Sequence, residues 1–232
     1  MCGRYSIAVE PSLLSERFGA TFSGDIVPRY NAAPSQMLPV ILNSSPGRIV
    51  LSRWGIAPVW LSSVSPLRIN VRFETLRDWP TFRSDLALRR CLVLADGFYE
   101  WKATKQKRKI PFRITRTDGK PFAFAGIWQE SSADSASSPR FSIITTAADS
   151  FMAPIHSRMP VILDKDEESE WINAGADVPS LLGMLESPYG FPLRMYEVSR
   201  EVNRAAVDTP ELIKPVSNKD GDAPPLFKAA KI

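Results

Sequence analysis

The sequence predicts an α+β fold: a single domain built on mainly antiparallel β-sheet, closed or half-barrelled, with a few peripheral helices. Many short apolar runs rich in β-branched and aromatic residues indicate strands, since Pro, Gly, Asp or Ser bounds them. The 20 prolines of the chain argue against a helical bundle. The predicted strands and helices also lack the regular alternation that is typical of a parallel sheet.

Strands are predicted first, because they outnumber the helices. Seven runs have the composition of strands, and they lie at 39–43, 49–55, 91–98, 110–115, 121–128, 141–147 and 159–163. Between two of them, the segment 116–120 contains an Asp-Gly pair, which predicts a hairpin turn.

Helices are predicted at 11–19, 81–90 and 164–175. The first ends at Gly19, which suits a helix C-cap because glycine adopts the left-handed conformation without strain. The third begins at Asp164 as N-cap, with Glu167 three residues later and Gly175 as a stop signal.

The size of the chain fits one large domain. It has 232 residues, of which 44% are apolar and 23% charged, as in soluble globular proteins. We expect this domain at 2–216 and a flexible tail at 217–232, with a mobile polar loop at 131–140.

Composition also excludes several classes of protein. No apolar run reaches the roughly 18 residues of a membrane span, and the N-terminus lacks the pattern of a secretory signal. Two distant cysteines and one histidine do not form a zinc motif, so we expect no metal and no cofactor. We expect a monomer with reduced thiols in the cytoplasm.

Positive charge is concentrated in one segment, although the net charge of the chain is only +4. The segment 101–120 carries +7, which leaves −3 for the rest. Its basic residues are Lys102, Lys105, Lys107, Arg108, Lys109, Arg113, Arg116 and Lys120. The segment is either a solvated hairpin tip or a patch that faces the phosphates of a polyanion.

The opening "MCGRY" places a cysteine directly after the first methionine. Loss of Met1 would give Cys2 a free α-amine next to its thiol. Gly3 permits the terminus to turn into a pocket, and the cation of Arg4 is expected to lower the pKa of the thiol. The alternative is that Cys2 is a small apolar residue at the start of a strand.

In "RINVRFET" (68–75), Asn70, Arg72 and Glu74 alternate with apolar residues. Residues two apart on a strand share a face, so these three would line one side. That side is either a hydrogen-bonded pocket wall or a plain surface, and the period alone does not decide.

Two single residues have the side chains needed for proton transfer. Glu100 lies between Tyr99 and Trp101, and desolvation there would raise its pKa and suit it to acid–base work. Otherwise it is a surface glutamate at a sheet edge. His156 is the chain's only histidine, and it is either a proton shuttle or a structural residue.

Eight blocks of the chain form an ordered series: "MCGRY" (1–5), "RYNAAPSQ" (29–36), "SRWGIAPVW" (52–60), "INVRFET" (69–75), "ADGFYEW" (95–101), "ITTAAD" (144–149), "IHSRMPVIL" (155–163) and "VSREVN" (198–203). This series resembles the motifs of the SRAP family, the abasic-site processing proteins, also called SOS-response-associated peptidases. The resemblance spans most of the chain and implies the half-barrel-like fold of that family.

The resemblance implies a DNA-damage protein that recognises abasic sites in single-stranded DNA. Such a protein would be associated with the nucleoid in a bacterium or lie in the nucleus of a eukaryote. The resemblance further implies a covalent crosslink through the Cys2 exposed once Met1 is removed, which the family is thought to do autocatalytically. By matching position, Glu100 would be the general acid–base and His156 a second proton shuttle. Asn70 would hydrogen-bond near the nucleophile and hold the lesion.

The resemblance also implies residues that bind DNA or support the site. Arg4, Arg72 and Arg158 would contact phosphates. Trp54 and Pro58 would lie against flanking bases, although Trp54 could instead belong to the core. Asn31 and Glu74 would support the pocket.

Two other functions remain open at this point. The first is a cysteine peptidase limited to self-processing, with Cys2, His156 and Glu100 as its reactive groups. The second is a non-covalent single-stranded-DNA-binding module that uses the basic segment and the tryptophans.

Overall fold

The computed structural model describes residues 2–22, 24, 26–56, 67–78, 80–106, 108–130, 138–216 and 227–228. Pro58, most of the loop predicted at 131–140 and all of the tail except 227–228 lie outside these residues. The predicted flexibility of the loop and the tail therefore stays a prediction.

In the described part of the chain the strands are β1 Tyr5–Ile7, β2 Thr21–Phe22, β3 Arg29–Ala32, β4 Met37–Leu42, β5 Arg48–Trp54, β6 Asn70–Arg72, β7 Arg90–Ala95, β8 Gly97–Ala103, β9 Lys109–Arg116, β10 Phe122–Gln129, β11 Arg140–Ala147, β12 Arg158–Pro160, β13 Ile162–Leu163, β14 Leu193–Glu197 and β15 Phe227–Lys228. The α-helices are α1 Pro11–Phe18, α2 Phe73–Asp78, α3 Pro80–Leu88, α4 Lys165–Trp171 and α5 Val178–Glu186. Short 3₁₀ helices lie at Arg200–Asn203 and Pro210–Ile213.

The strands form two sheets that enclose the core. One has the order β15-β14-β9-β8-β1-β3, and the other runs β12-β11-β10-β7-β4-β5-β2, with β13 and β6 attached to it. Aromatic rings bridge the sheets: Phe98 of β8 meets Phe124 of β10, with ring centroids 5.8 Å apart. Most strand pairs are antiparallel, so the predicted α+β class is confirmed.

The single strand predicted at 91–98 is wrong, because the chain leaves one sheet at Ala95 and enters the other at Gly97. Asp96 lies at this crossing and is buried. Its carboxylate accepts hydrogen bonds from Ser6 Oγ at 2.6 Å and from the backbone N–H of Ala8 at 2.8 Å. The crossing is therefore fixed to the first strand of the protein.

Arg113 completes this buried group. Its Nη2 lies 2.9 Å from the Asp96 carboxylate, and its Nη1 donates to Tyr196 Oη at 2.8 Å. A Cβ at position 97 would lie 2.7 Å from the Arg113 guanidinium, so the close approach requires Gly97. Strands β1, β9 and β14 and the crossing between β7 and β8 thus meet at one ion pair.

The hairpin predicted at 116–120 is also wrong. β9 pairs with β8 and β14, whereas β10 belongs to the other sheet, so this turn connects the two sheets. Gly119 has a φ of 72°, as the tight turn requires, but tightness does not decide which strands pair. The hairpin of this region is β8–β9, whose last pair is Ala103 with Lys109.

The helix signals gave mixed results. Gly19 ends α1 with a φ of 60°, and Asp164 and Glu167 form the predicted capping box of α4, so both signals are confirmed. α4 ends at Trp171, earlier than Gly175 suggested. The sequence analysis missed α2 and also α5, whose N-cap Asp177 accepts from the N–H of Ser180.

We predict that Asp96→Asn lowers the free energy of unfolding by about 3–5 kcal/mol, because it leaves the buried Arg113 cation without its counter-ion. Urea denaturation measures this change. As a control, Glu201→Gln breaks an exposed pair with Arg204 and should cost less than about 1 kcal/mol. Equal losses in the free energy of unfolding for the two substitutions would contradict the role of Asp96 as the counter-ion of a buried cation.

Candidate active site

Cys2 is fully buried and lies three residues before the start of β1. Strand β1 pairs with β3 on one side and with β8 on the other, where Tyr5 lies opposite Phe98. The Cys2 thiol is 3.7 Å from the carbonyl oxygen of Arg4. The structure therefore holds this residue inside the fold and not at a free surface.

Burial raises the pKa of the Cys2 thiol far above its usual range, and the negative charge of Glu100 raises it further. The expectation that the Arg4 cation gives the thiol a lowered pKa is wrong: Arg4 acts on the thiol only through its backbone carbonyl, and its guanidinium is bound elsewhere. Arg4 donates to Asn31 Oδ1 and to the carbonyl of Val202, each at 2.8 Å. The thiol at rest is protonated, and its reaction needs a base.

Glu100 lies on β8 and is only 2% exposed, which excludes the surface-glutamate alternative. Burial is the main cause that raises the pKa of its carboxyl group, while the charge of His156 acts in the opposite direction. Its aromatic neighbours are not the source of this burial. Tyr99 and Trp101 pack with Tyr196 in a second apolar cluster, which also contains Val202 and Leu212.

His156 lies at the end of a turn that hydrogen bonds shape. Its backbone N–H donates to the carbonyl of Met152, and Asp149 Oδ1 accepts from the N–H of Met152 at 2.7 Å. The ring Nδ1 is 2.9 Å from the N–H and 3.1 Å from the carbonyl oxygen of Arg158. The backbone of Arg158 therefore offers Nδ1 a partner in either protonation state.

Asn70 begins β6, which runs parallel to β11 with Asn70 opposite Ile143. Its Nδ2 donates to the backbone carbonyl of Cys2 at 2.9 Å, and its Oδ1 is buried without a hydrogen-bond partner among the described residues. An amide thus fixes the backbone of Cys2 and keeps one acceptor available. The structure brings Cys2, Asn70, Glu100 and His156 into one neighbourhood.

The shared strand face predicted for Asn70, Arg72 and Glu74 is wrong beyond Arg72, because α2 begins at Phe73. Glu74 instead forms a two-point ion pair with Arg158, whose Nη2 lies 2.9 Å from Glu74 Oε2. The pKa of the Glu74 carboxyl group is lowered mainly by the hydrogen bond from Arg158. This pair ties the strand that follows His156 to α2.

The three arginines expected at phosphates therefore differ. Arg4 and Arg158 are engaged by internal partners, and Arg158 also donates to the carbonyl of Thr145 at 2.6 Å. Arg72 is exposed at the end of β6. A phosphate contact stays a prediction for all three arginines, and Arg72 is the exposed one among them.

The expected stacking of DNA bases on Trp54 is wrong, because this side chain is fully buried. Its ring lies parallel to that of Phe141 with centroids 6.2 Å apart, and its Nε1 donates to the carbonyl of Ile69 at 2.9 Å. The alternative of a core residue is correct. A role of Pro58 stays a prediction, because this residue lies outside the described part of the chain.

Asn31 lies on β3, on the opposite side of β1 from the strand of Glu100, and its expected supporting role stays a prediction. Its Nδ2 donates to the carbonyls of Val202 and Val207, and its Oδ1 accepts from Arg4. Sequence reasoning missed Asp208, whose Oδ1 accepts the backbone N–H of Asn31 at 2.9 Å. Sequence reasoning likewise missed the structural roles of Asp96 and Arg113. No local pattern marks a carboxylate or a cation that binds a distant strand.

The described residues contain no cluster of His, Cys, Asp and Glu suited to a metal ion. No helix in the described ranges is long and apolar enough to span a membrane. The reactive groups of the site are the thiol of Cys2, the carboxyl group of Glu100 with its raised pKa, the imidazole of His156 and the amide of Asn70. These groups suit nucleophilic addition with proton transfer.

A separate cavity of about 470 Å³ lies beside the turn that leads to His156, between β11, β12 and residues 185–192. None of the four candidate catalytic residues lines it. Its described lining includes Asp149 and Glu186 but neither lysine nor arginine, so it does not suit the phosphates of a nucleic acid.

We predict that Glu100→Gln raises the melting temperature at neutral pH. The folded state raises the pKa of Glu100, so its stabilising contribution is present below the unfolded pKa of about 4.3 and is lost as pH rises through the folded value. The gain should shrink as the pH approaches about 4, where the carboxyl group is neutral in both states. A gain that is independent of pH would contradict the assigned ionisation.

Known proteins resemble this chain in sequence and in fold. The family model described as SOS response associated peptidase (SRAP) matches residues 1–205. "Abasic site processing protein YoqW" of Bacillus subtilis is 39% identical over 223 residues, which cover 92% of this chain and 99% of that protein. "Abasic site processing protein YedK" of Escherichia coli is 30% identical over 227 residues, covering 93% and 100%.

A solved structure shares the architecture. A crystal structure of a Bacteroides thetaiotaomicron protein superposes with a TM-score of 0.80 at 24% identity, covering 93% of this chain and 100% of that one. This likeness shows the fold, while the family model over residues 1–205 and the relative at 39% identity show the family. The chain belongs to the SOS response associated peptidase (SRAP) family.

Proposed function

We propose that this protein processes abasic sites in single-stranded DNA by forming a covalent crosslink through Cys2. The observation that carries the proposal is the meeting of the buried Cys2 and Glu100 with the partly exposed Asn70 and His156 in one site near the N-terminal end of β1. The relatives named as abasic site processing proteins support the same substrate.

The first step is the removal of residue 1. Hydrolysis of the bond between residues 1 and 2 consumes water and converts the backbone nitrogen of Cys2 from an amide into an amine. Cys2, Glu100 and His156 provide the groups for a self-processing reaction of this kind. In this proposal the peptidase activity is limited to one reaction, in which the protein cleaves its own chain before residue 2.

The amine then attacks the aldehyde carbon of the ring-opened abasic sugar. A C–N bond forms, and water leaves as the carbinolamine becomes an imine. An α-amine with a pKa of about 7.7–8.0 is substantially neutral at physiological pH, unlike a lysine side chain with a pKa of about 10.4. His156 and Glu100 donate and accept the protons of ring opening and of water loss.

The thiol closes the ring. Its proton passes to the Glu100 carboxylate, the sulfur adds to the imine carbon, and the imine nitrogen takes up a proton to leave a five-membered thiazolidine. A carboxylate with a raised pKa is a stronger base than an exposed one, which suits it to a thiol whose own pKa is raised. Asn70 holds the Cys2 carbonyl, so both nucleophiles keep their direction.

The DNA strand itself would be held by charge. Arg72 is exposed two residues after Asn70, so its guanidinium can contact a phosphate next to the lesion. A non-covalent binding module remains the second candidate function. It requires the exposed cations but gives no reason for a buried thiol next to a buried carboxylate.

We predict that the protein gives a denaturation-resistant adduct with abasic single-stranded DNA, which denaturing gel electrophoresis detects. Cys2→Ala should abolish the thiazolidine adduct, because it removes the thiol. Cys2→Ser keeps the amine and should give only an adduct that borohydride must trap. Undamaged DNA of the same sequence is the control.

Complexes that all dissociate on denaturation would contradict the covalent function and favour the non-covalent module. Intact mass of the protein checks the preparation, because a chain that retains Met1 has no α-amine at Cys2.

We predict two titrations in the pH dependence of the crosslinking rate. The rate should fall with decreasing pH as the amine is protonated near pH 7.7–8.0, and again as Glu100 is protonated above the usual glutamate value of about 4.3. Glu100→Gln should lower the rate about 10²–10³-fold and remove only the second fall. A Glu100→Gln profile that keeps both titrations would overturn the role of Glu100 as base.

A further inference from the structure

The structure divides the basic segment 101–120 into two parts with different surroundings. Arg113 is buried against Asp96, and Arg116 pairs with Asp118, so these cations serve the fold. Apart from Lys120, which lies between β9 and β10, the other described cations of the segment lie at the open end of the β8–β9 hairpin. We call residues 102–109 the basic tip, and its described cations, all exposed, are Lys102, Lys105, Arg108 and Lys109.

The cations of the basic tip lack counter-ions. None of the four forms a salt bridge with any residue in the described ranges, and the sequence has no acidic residue between 101 and 109. Other exposed cations of the surface do have acidic neighbours, as in the pairs Arg77–Asp78, Arg204–Glu201 and Lys214–Glu211. The basic tip thus leaves its positive charge available to a partner.

The position of the basic tip relates it to the candidate active site. Lys102 follows Glu100 by two residues on β8, which corresponds to about 7 Å along the strand. The pairing of Ala103 with Lys109 carries the hairpin one residue further before it turns. The same strand therefore carries the proposed base at one point and unpaired cations at its end.

We propose that the basic tip is a second contact surface for the phosphates of the DNA strand, on one side of the abasic site. This inference rests on the proposed function. Unpaired cations attract a polyanion without reading its sequence, so the basic tip would increase affinity and association rate while leaving the bond-forming groups unaffected. Because the basic tip projects in one direction from Glu100, only one arm of the strand would reach it.

The test compares two variants that lose the same charge. The tip variant combines Lys105→Gln, Arg108→Gln and Lys109→Gln. The control variant combines Arg48→Gln, Lys120→Gln and Lys165→Gln, which are exposed at the start of β5, in the connection between β9 and β10 and at the start of α4. Fluorescence anisotropy measures affinity for single-stranded DNA against salt concentration, and denaturing gels measure adduct formation at saturating DNA.

The tip variant should reduce the slope of log affinity against log salt by about 2, since each lost phosphate contact removes about 0.7 on single strands. The control variant should reduce it by much less. At saturating DNA both variants should form the adduct at the wild-type rate. With lesions placed near one or the other end of the strand, the effect of the tip variant should persist for one placement and vanish for the other.

Equal slopes for the two variants would overturn the inference, as would an effect that is the same for both lesion placements. A loss of adduct rate at saturating DNA would also overturn it, because the basic tip would then act on the chemistry. Failure of the proposed function is a separate result: wild type and both variants would then form no adduct, while the salt slopes would still report on the basic tip.

Discussion

The carboxylate of Asp96 is the interaction on which the site most depends. It lies where the chain passes from one sheet to the other, and it binds Ser6, the N–H of Ala8 and Arg113. Ser6 and Ala8 belong to the stretch that begins with Cys2, and Gly97 begins the strand that carries Glu100. One buried ion pair therefore sets the first strand against the strand of the proposed base, and Cys2 has a fixed place inside the fold.

Burial explains why the site has unusual chemistry. Exclusion of water raises the pKa values of Cys2 and Glu100 together, so a protonated thiol faces a carboxylate that binds protons more strongly than usual. The same burial destabilises the folded protein at neutral pH, because an ionised carboxylate is kept from water. Internal ties of Arg4 to Asn31 and of Arg158 to Glu74 hold the segments around the site in place.

Local patterns predicted much of this structure, but pairing over long distances lay beyond them. The cap signals at Gly19 and Asp164 act within a few residues and were correct. The predictions of a hairpin at 116–120 and of a single strand at 91–98 were wrong, because the partners of a strand depend on the whole topology. Trp54 failed as a base-stacking residue because sequence does not reveal which tryptophan the core encloses. Local context marked Cys2, Asn70, Glu100 and His156 as candidates without deciding between their alternatives, and a family resemblance supplied their roles. Their meeting in space is a finding of the structure.

The most direct measurement of the central claim is tandem mass spectrometry of the adduct with abasic single-stranded DNA, after digestion of protein and DNA. The account predicts a peptide that begins at Cys2 and carries the sugar with loss of water, with a mass unchanged by borohydride and a thiol that resists alkylation. A sugar attached to a lysine, or attached to Cys2 with a thiol that still alkylates, would contradict it.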